Sequence, residues 1–513
     1  MQKDFQARFG ESRERSTRLL LLASVFTIAT CGLIYELIAG TLASYLLGDS
    51  ITQFSTIIGV YLFAMGVGSW LSRYINRALV AAFVGIEFLI GLVGGWSAAL
   101  LFLMFDSAGS FRVLLYALVL IVGVLVGMEI PLLLRLLKDR LEFKDLVSRV
   151  LSLDYVGALL ASLLFPLVLV PHLGLMRSSF LFGFLNALVG LVALFMLKRE
   201  IAWWRGLLAQ GVFVLAIITA GFVCADMLMS ASERGYYSGE TVILSKSTPY
   251  QHIVLTRHRD DLRLYLNGNL QFSSRDEYRY HESLVHPVMS RVPAGARVLI
   301  LGGGDGLALR EVLRYPDIAG VTLVDLDPEM TRMFASLPML AALNNHSLVS
   351  PRAEIINADA FTWLEKNRKI FDAAIIDFPD PTSFSLGKLY TTAFYQRLQR
   401  ALSPGALVVV QTTSPLVARH SFWCVDATLR ACGWVTVPYH CYVPSFGEWG
   451  FIIASRRPLP ATRDVPDGLR FYSGAVFAQE CEFPPDMSRV DVEPNKLNNQ
   501  VLVRLFEREW GKL

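Results

Sequence analysis

Charge is scarce in this chain of 513 residues: 18% are charged, 47 Lys and Arg nearly cancel 44 Asp and Glu, and the net charge is +3. The sequence contains no long basic run and no interleaving of Lys or Arg with aromatics, which argues against nucleic acid as a partner. Cysteine is also sparse. Cys31 and Cys224 lie in apolar runs, while Cys424, Cys432, Cys441 and Cys481 have no CxxC spacing, so neither a zinc site nor a redox dithiol is expected and all six read as reduced and structural.

Apolar residues fill the space that charge leaves. With 53% hydrophobic residues and a mean hydropathy of +0.45, the chain is too apolar for one soluble domain. The excess sits in the first half, where long apolar runs are broken by short basic loops up to about Leu228; beyond that, strand-like and helix-like segments alternate with ordinary charge. The expected organisation is a multi-pass helical bundle over 1–230, a small β region over 231–290, a nucleotide-binding α/β domain over 291–460 and a C-terminal extension over 461–513.

A helix needs about 20 apolar residues to cross a bilayer. Seven segments qualify, centred near Ile28, Leu62, Leu92, Val122, Leu160, Leu188 and Ala216, and a multi-pass protein of the cell membrane is expected. The first run extends from Leu19 past Leu46 without a clear cleavage site, unlike a signal peptide. Arg73, Arg77, Lys138, Lys198 and Arg199 mark alternate loops, which puts the N-terminus in the cytoplasm; an odd number of spans then puts the second half on the opposite side, away from where a nucleotide substrate is made, unless one segment is re-entrant or is not a span, so the topology stays open. Glu36, Glu87, Glu129 and Asp154 fall within or at the ends of apolar spans, where a carboxylate either lines a polar pathway or pairs with neighbouring helices.

In the second half, TVILS, HIVLTRH and LRLYLNG predict a small antiparallel sheet. RVLILGGGDG then runs into the helix-like LALREVLRY and on to VTLVDLD, a βαβ unit of a parallel, Rossmann-like sheet. Gly302, Gly303, Gly304 and Gly306 allow a tight turn and close approach of backbone to a ligand. Asp325, at the end of the next strand, is placed to accept ribose hydroxyls. AEIINADA puts Asp359 at a third strand end, suited to an adenine amine, and FDAAIIDFPDP ends in Asp377 and Asp380, two carboxylates facing one crevice.

These strings, with YQHIVL, LNGNLQFSSRDEYRYHE, LYTTAFYQRL and VPSFGEWGF, make residues from about 240 to 455 resemble the spermidine synthases, the polyamine aminopropyltransferases. The resemblance implies transfer of an aminopropyl group from decarboxylated S-adenosylmethionine, a co-substrate, to putrescine or a related amine, giving spermidine and methylthioadenosine without a metal or cofactor, with a homodimer as one possible assembly. It implies Asp377 as the base that deprotonates the amine, Asp305 and Asp380 as ammonium ligands, Gln251 on the nucleoside, Tyr280 and His281 on the polyamine, Asp325 on the ribose, and Asp359 with Ala360 on the adenine. Asp305 also implies choice of the decarboxylated donor, since it would repel the carboxylate of the intact one.

Four features depart from the family pattern. Asp325 replaces a Glu, Ala360 a Gly, TSFSLGKLY follows the DP pair, and Phe446 stands where a tyrosine is common; Glu448 is a substitute candidate for an ammonium ligand. Two other readings compete. One is a membrane polyamine transporter or sensor whose catalytic-like domain only binds a polyamine or nucleoside, and the other is a methyltransferase on the same sheet, supported by the glycine turn and Asp325 alone.

Overall fold

The computed structural model describes residues 2–47, 50–104, 108–138, 142–237 and 239–511. The chain divides into two compact units, Met1–Glu240 and Thr241–Leu513.

The first unit is helical: α1 (Gln2–Leu47), α2 (Ser50–Leu71), α3 (Leu79–Leu103), α4 (Ala108–Leu137), α5 (Phe143–Leu164), α6 (Val170–Leu197), α7 (Trp204–Val223) and α8 (Ala225–Tyr236). Apolar helices pack closely where small residues let their backbones approach. Each of the main contacts here is made that way. On α2 and α4, a Cβ at Gly68 would lie 2.0 Å from the Val124 carbonyl and one at Gly127 2.1 Å from that of Met65; Gly91 faces Gly183 between α3 and α6, and Gly157 faces Phe26 between α5 and α1.

Among the described residues six helices are long and apolar enough to cross a membrane. The sequence reading of seven differs at one place. The segments centred near Leu160 and Leu188 lie in one run of 57 residues, Lys144–Glu200. Pro166 and Pro171 remove backbone donors there, but a π-helical turn at Phe165–Leu169 carries the helix through, and the break comes at Gly174, with φ 71° and ψ 173°. Of the buried acids, Glu87 on α3 accepts the Asn186 amide of α6 on Oε2 at 3.2 Å, and Glu129 on α4 is equally buried.

The second unit opens with a four-stranded antiparallel sheet, β1 (Thr241–Ser247), β2 (His252–His258), β3 (Asp261–Leu266) and β4 (Asn269–Ser273), in sequential order. Helix α9 (Glu277–Met289) leads to a seven-stranded sheet built from β5 (Arg297–Gly302), β6 (Gly320–Asp325), β7 (Ala353–Asn357), β8 (Phe371–Asp377), β9 (Leu402–Gln411), β10 (Val435–Val443) and β11 (Gly447–Ser455), with α10 (Leu307–Val312) after β5. Its order is β10-β11-β9-β8-β5-β6-β7, parallel from β7 to β9 and antiparallel at β11 and β10. The central strands are buried along their length, as a sheet covered on both faces requires.

The chain leaves β5 toward β6 on one side and later fills β8 on the other. The carboxyl ends of β5 and β8 therefore flank a topological switch point, where such sheets open a ligand crevice. Gly302 and Asp377 are direct partners across it.

Candidate active site

The turn after β5 is shaped by what surrounds it. Gly302 and Gly303 take φ of 83° and 65°, which favour glycine, and a Cβ on Gly302 would fall 2.2 Å from the Asp377 carbonyl. A Cβ on Gly304 would fall 2.6 Å from the Asp325 carboxyl carbon. That closeness serves a contact: Gly304 N–H donates to Oδ2 of Asp325 at 3.1 Å and Asp327 N–H to its Oδ1 at 2.8 Å. Asp325 is thus locked in place, and desolvation pushes its pKa up to about 6.

Asp377 ends β8 and accepts the Tyr280 hydroxyl on Oδ1 at 2.7 Å. Desolvation raises its pKa, against the opposing pull of nearby His281 and of the Tyr280 hydrogen bond. Asp305 is pushed up to about 6 by desolvation, which His281 opposes and Asp377 reinforces; its Oδ1 accepts Leu307 N–H at 2.9 Å. Asp380 is raised to about 7 by desolvation, which the neighbouring Gln411 amide only partly offsets, and its Oδ1 is a buried acceptor with no partner among the described residues. The structure therefore gathers Asp305, Asp377, Asp380 and Tyr280 at the switch point, three carboxylates whose shared proximity suits cationic nitrogen.

Other residues named from the sequence occupy more constrained positions. His281 is buried, and its Nδ1 bonds Oε2 of Glu277 at 2.8 Å; burial alone would lower its pKa, but Glu277 carries it up to about 8. Gln251 donates to Oδ2 of Asp327 at 3.0 Å. Asp359 caps the helix Ala360–Lys366 by accepting Thr362 N–H at 2.8 Å, and its other oxygen meets Lys388 Nζ at 2.7 Å. Ala360 is the first residue of that helix, and Gly306 precedes α10. Glu448 is paired with His440 on the adjoining strand.

Several contributors had no role assigned from the sequence. Arg310 grips both oxygens of Glu277 at 2.9 Å, and Glu311 bonds His286 at 3.1 Å, so the RE of the GGGDG-x-x-x-RE string braces α9 behind the carboxylates. Gln411 ends β9, donates to the Phe378 carbonyl and to the Tyr390 hydroxyl at 3.2 Å, and accepts Trp449 Nε1–H at 3.1 Å. A polar residue closing an otherwise apolar strand was the only signal in the sequence for Gln411.

The chain is similar to known proteins along most of its length. Residues 277–464 match the family model for the spermine/spermidine synthase domain. The chain is 56% identical over 508 residues to polyamine aminopropyltransferase 2 of Ralstonia nicotianae, covering 97% of this chain and 99% of the relative. It is 53% identical over 493 residues to the polyamine aminopropyltransferase of Leptospira interrogans, covering 96% and 99%, and 44% identical to polyamine aminopropyltransferase 1 of Streptomyces coelicolor, covering 98% and 96%. The crystal structure of spermidine synthase from Thermotoga maritima aligns with 48% of this chain and 85% of its own at 26% identity and a TM-score of 0.43.

Proposed function

This chain belongs to the polyamine aminopropyltransferase family and transfers aminopropyl groups, and on that premise we propose how its residues divide the work. The reading as a transporter or sensor with a merely catalytic-like domain has no support: relatives matched over nearly the whole chain, apolar half included, are named as the transferase.

The reaction joins an amine nitrogen to the carbon beside the donor's sulfonium; that C–S bond breaks, methylthioadenosine leaves, and the nitrogen sheds a proton. An alkylammonium has a pKa of about 10.4, so at neutral pH the acceptor arrives protonated. Asp377 receives the proton. Its raised pKa makes it a better base than an exposed carboxylate, and the Tyr280 hydrogen bond fixes one oxygen so that the other faces the crevice. Asp380, whose Oδ1 has no partner among the described residues, holds an ammonium of the acceptor, while Asp305 holds the amine of the donor chain and repels a donor that retains its carboxylate. Asp325 takes the ribose and Asp359, with Ala360 N–H, the adenine, once Lys388 shares or yields its oxygen. Putrescine suits Asp377 and Asp380 as a dication, its reacting nitrogen at the first and its far ammonium at the second, with Asp305 left to the donor. Gln251 and His281 act one step back, through Asp327 and Glu277.

The observation that carries the assignment is Asp377, paired with Tyr280 and placed between Asp305 and Asp380 at the switch point. Purified protein in detergent, supplied with decarboxylated S-adenosylmethionine and a panel of di- and triamines, should release methylthioadenosine and one new polyamine. Asp377→Asn should abolish turnover while methylthioadenosine still binds; turnover surviving in that variant would remove Asp377 as the base.

The helical unit anchors this site in a lipid bilayer, with the cell membrane its location. A helical run of 57 residues is about 85 Å long at 1.5 Å per residue, against a hydrocarbon core of about 30 Å. The break at Gly174 lets it cross twice, giving seven crossings. Reporter fusions at the two termini test the count: opposite sides agree with seven, the same side with an even number.

A further inference from the structure

Residues 465–511 lie beyond the matched family domain, yet they pack back onto the catalytic sheet. Glu282, the last residue of the RYHE string, accepts the backbone N–H groups of Arg470, Phe471 and Tyr472 at 2.8–2.9 Å and so ties the segment to α9. From there the segment reaches the Asp380 loop from two sides. Asn495, fully buried, donates to the carbonyls of Gly387 at 3.0 Å and Tyr390 at 3.2 Å. At the end of the last helix, Val501–Trp510, Trp510 donates its indole N–H to Oγ1 of Thr413 at 2.9 Å and sets its ring 6.5 Å from that of Trp449.

Both arms converge on one group. Tyr390 and Trp449 each hydrogen-bond Gln411, whose amide lies beside the Asp380 carboxyl. Trp449 also packs against Phe446, 5.3 Å away, and Phe446 against Tyr280, at 6.3 Å. The aromatic wall of the crevice thus runs from the base's partner to the C-terminal helix. A side chain held only by its own strand end retains rotamer freedom, whereas one bonded at both amide atoms and backed by packed rings does not.

We propose that the C-terminal segment is part of the acceptor site, with Trp510 a positioning residue that fixes Trp449 and Gln411 so that Asp380 is held for the ammonium of the acceptor amine. The inference rests on the assignment of Asp380 above. It separates the two substrates: the donor's contacts at Asp305, Asp325 and Asp359 lie on the other side of β8 and do not depend on Trp510.

The test is steady-state kinetics on the full-length protein in detergent, with putrescine varied at saturating donor and the reverse. Trp510→Ala should raise KM for putrescine about tenfold while leaving KM for the donor within about twofold, and Trp510→Phe, which keeps an aromatic ring against Trp449 but lacks the indole N–H, should recover part of the loss. Thr413→Val removes only the indole's acceptor and should give an intermediate rise in amine KM; it guards against a Trp510→Ala variant that fails to fold. Equal rises for both substrates, or an unchanged amine KM in Trp510→Ala and Thr413→Val, would overturn the proposal. Absence of turnover in the unaltered protein would instead overturn the assignment of function on which it stands.

Discussion

The Tyr280 hydroxyl donates to Asp377 Oδ1 at 2.7 Å, joining a residue of α9 to the end of β8. The phenol's own pKa is raised by burial and by Asp377, so it remains the donor through the physiological range. A hydrogen bond to a charged group contributes about 1.5–3 kcal/mol, and it favours the ionised form of Asp377. Tyr280→Phe frees the Asp377 carboxylate to rotate and, through that lost positioning rather than through basicity, should lower kcat by about 10- to 100-fold; since Asp377 then protonates more readily, it should also move the acid limb of the kcat/KM profile to higher pH. A profile that drops in height without moving would mean that Tyr280 only packs.

Asp305, at about 6, and Asp380, at about 7, must both be ionised to attract ammonium groups. Activity should fall as pH drops from 8 to 6, with amine KM rising first because Asp380 titrates first. The stability effect has the opposite sign. A carboxyl raised above its unfolded pKa binds protons more readily in the folded state, so the unliganded protein should gain stability as pH falls from 7 toward 5. Melting temperatures of the unaltered protein and Asp380→Asn across that range check this: the difference between them should shrink on acidification, and a constant difference would contradict the raised pKa.

The sequence carries these features unevenly. Strands ending in glycine or aspartate were legible because a buried parallel strand is a short apolar run, and the residue that ends it faces the crevice. Hence Gly302, Asp325 and Asp377 could be placed before their contacts were known. Occupied side chains were not legible. That Gln251 is held by Asp327 and Asp359 by Lys388 depends on pairings across 76 and 29 residues. Trp510 lies 97 residues from its acceptor Thr413, and no local pattern records such a contact. In the helical half, apolar length located every segment but not the join within Lys144–Glu200, where a π-helical turn carries the chain past Pro166 and the break falls at Gly174.

Glu277 links His281 to Arg310 and leaves no charge of this trio unpaired. With His281 raised to about 8 against an ordinary 6.5, its pairing contributes stability that is complete below about pH 6.5 and is lost as pH rises through about 8. Glu277→Gln should destabilise the catalytic unit by about 3–5 kcal/mol, the usual cost of stranding a buried charge, and should make the decline in melting temperature between pH 6.5 and 8 shallower, leaving the part that Asp380 causes. A decline as steep in the variant as in the unaltered protein would assign it to groups other than His281.

Helix packing in the apolar unit makes a prediction with an internal control. Gly66 and Gly68 both lie on α2, but a Cβ at Gly66 meets nothing within 4 Å, whereas one at Gly68 would lie 2.0 Å from the Val124 carbonyl of α4. Backbone cannot yield as a flexible side chain can, so a side chain at Gly68 has to push the two helices apart. Gly68→Leu should cost at least the 1–3 kcal/mol typical of overpacking, seen as a lower melting temperature and a smaller monodisperse fraction in detergent. Gly66→Leu adds a good helix former on an open face and should match the unaltered protein. Equal behaviour of the two variants would show that α2 and α4 are not held together at this glycine.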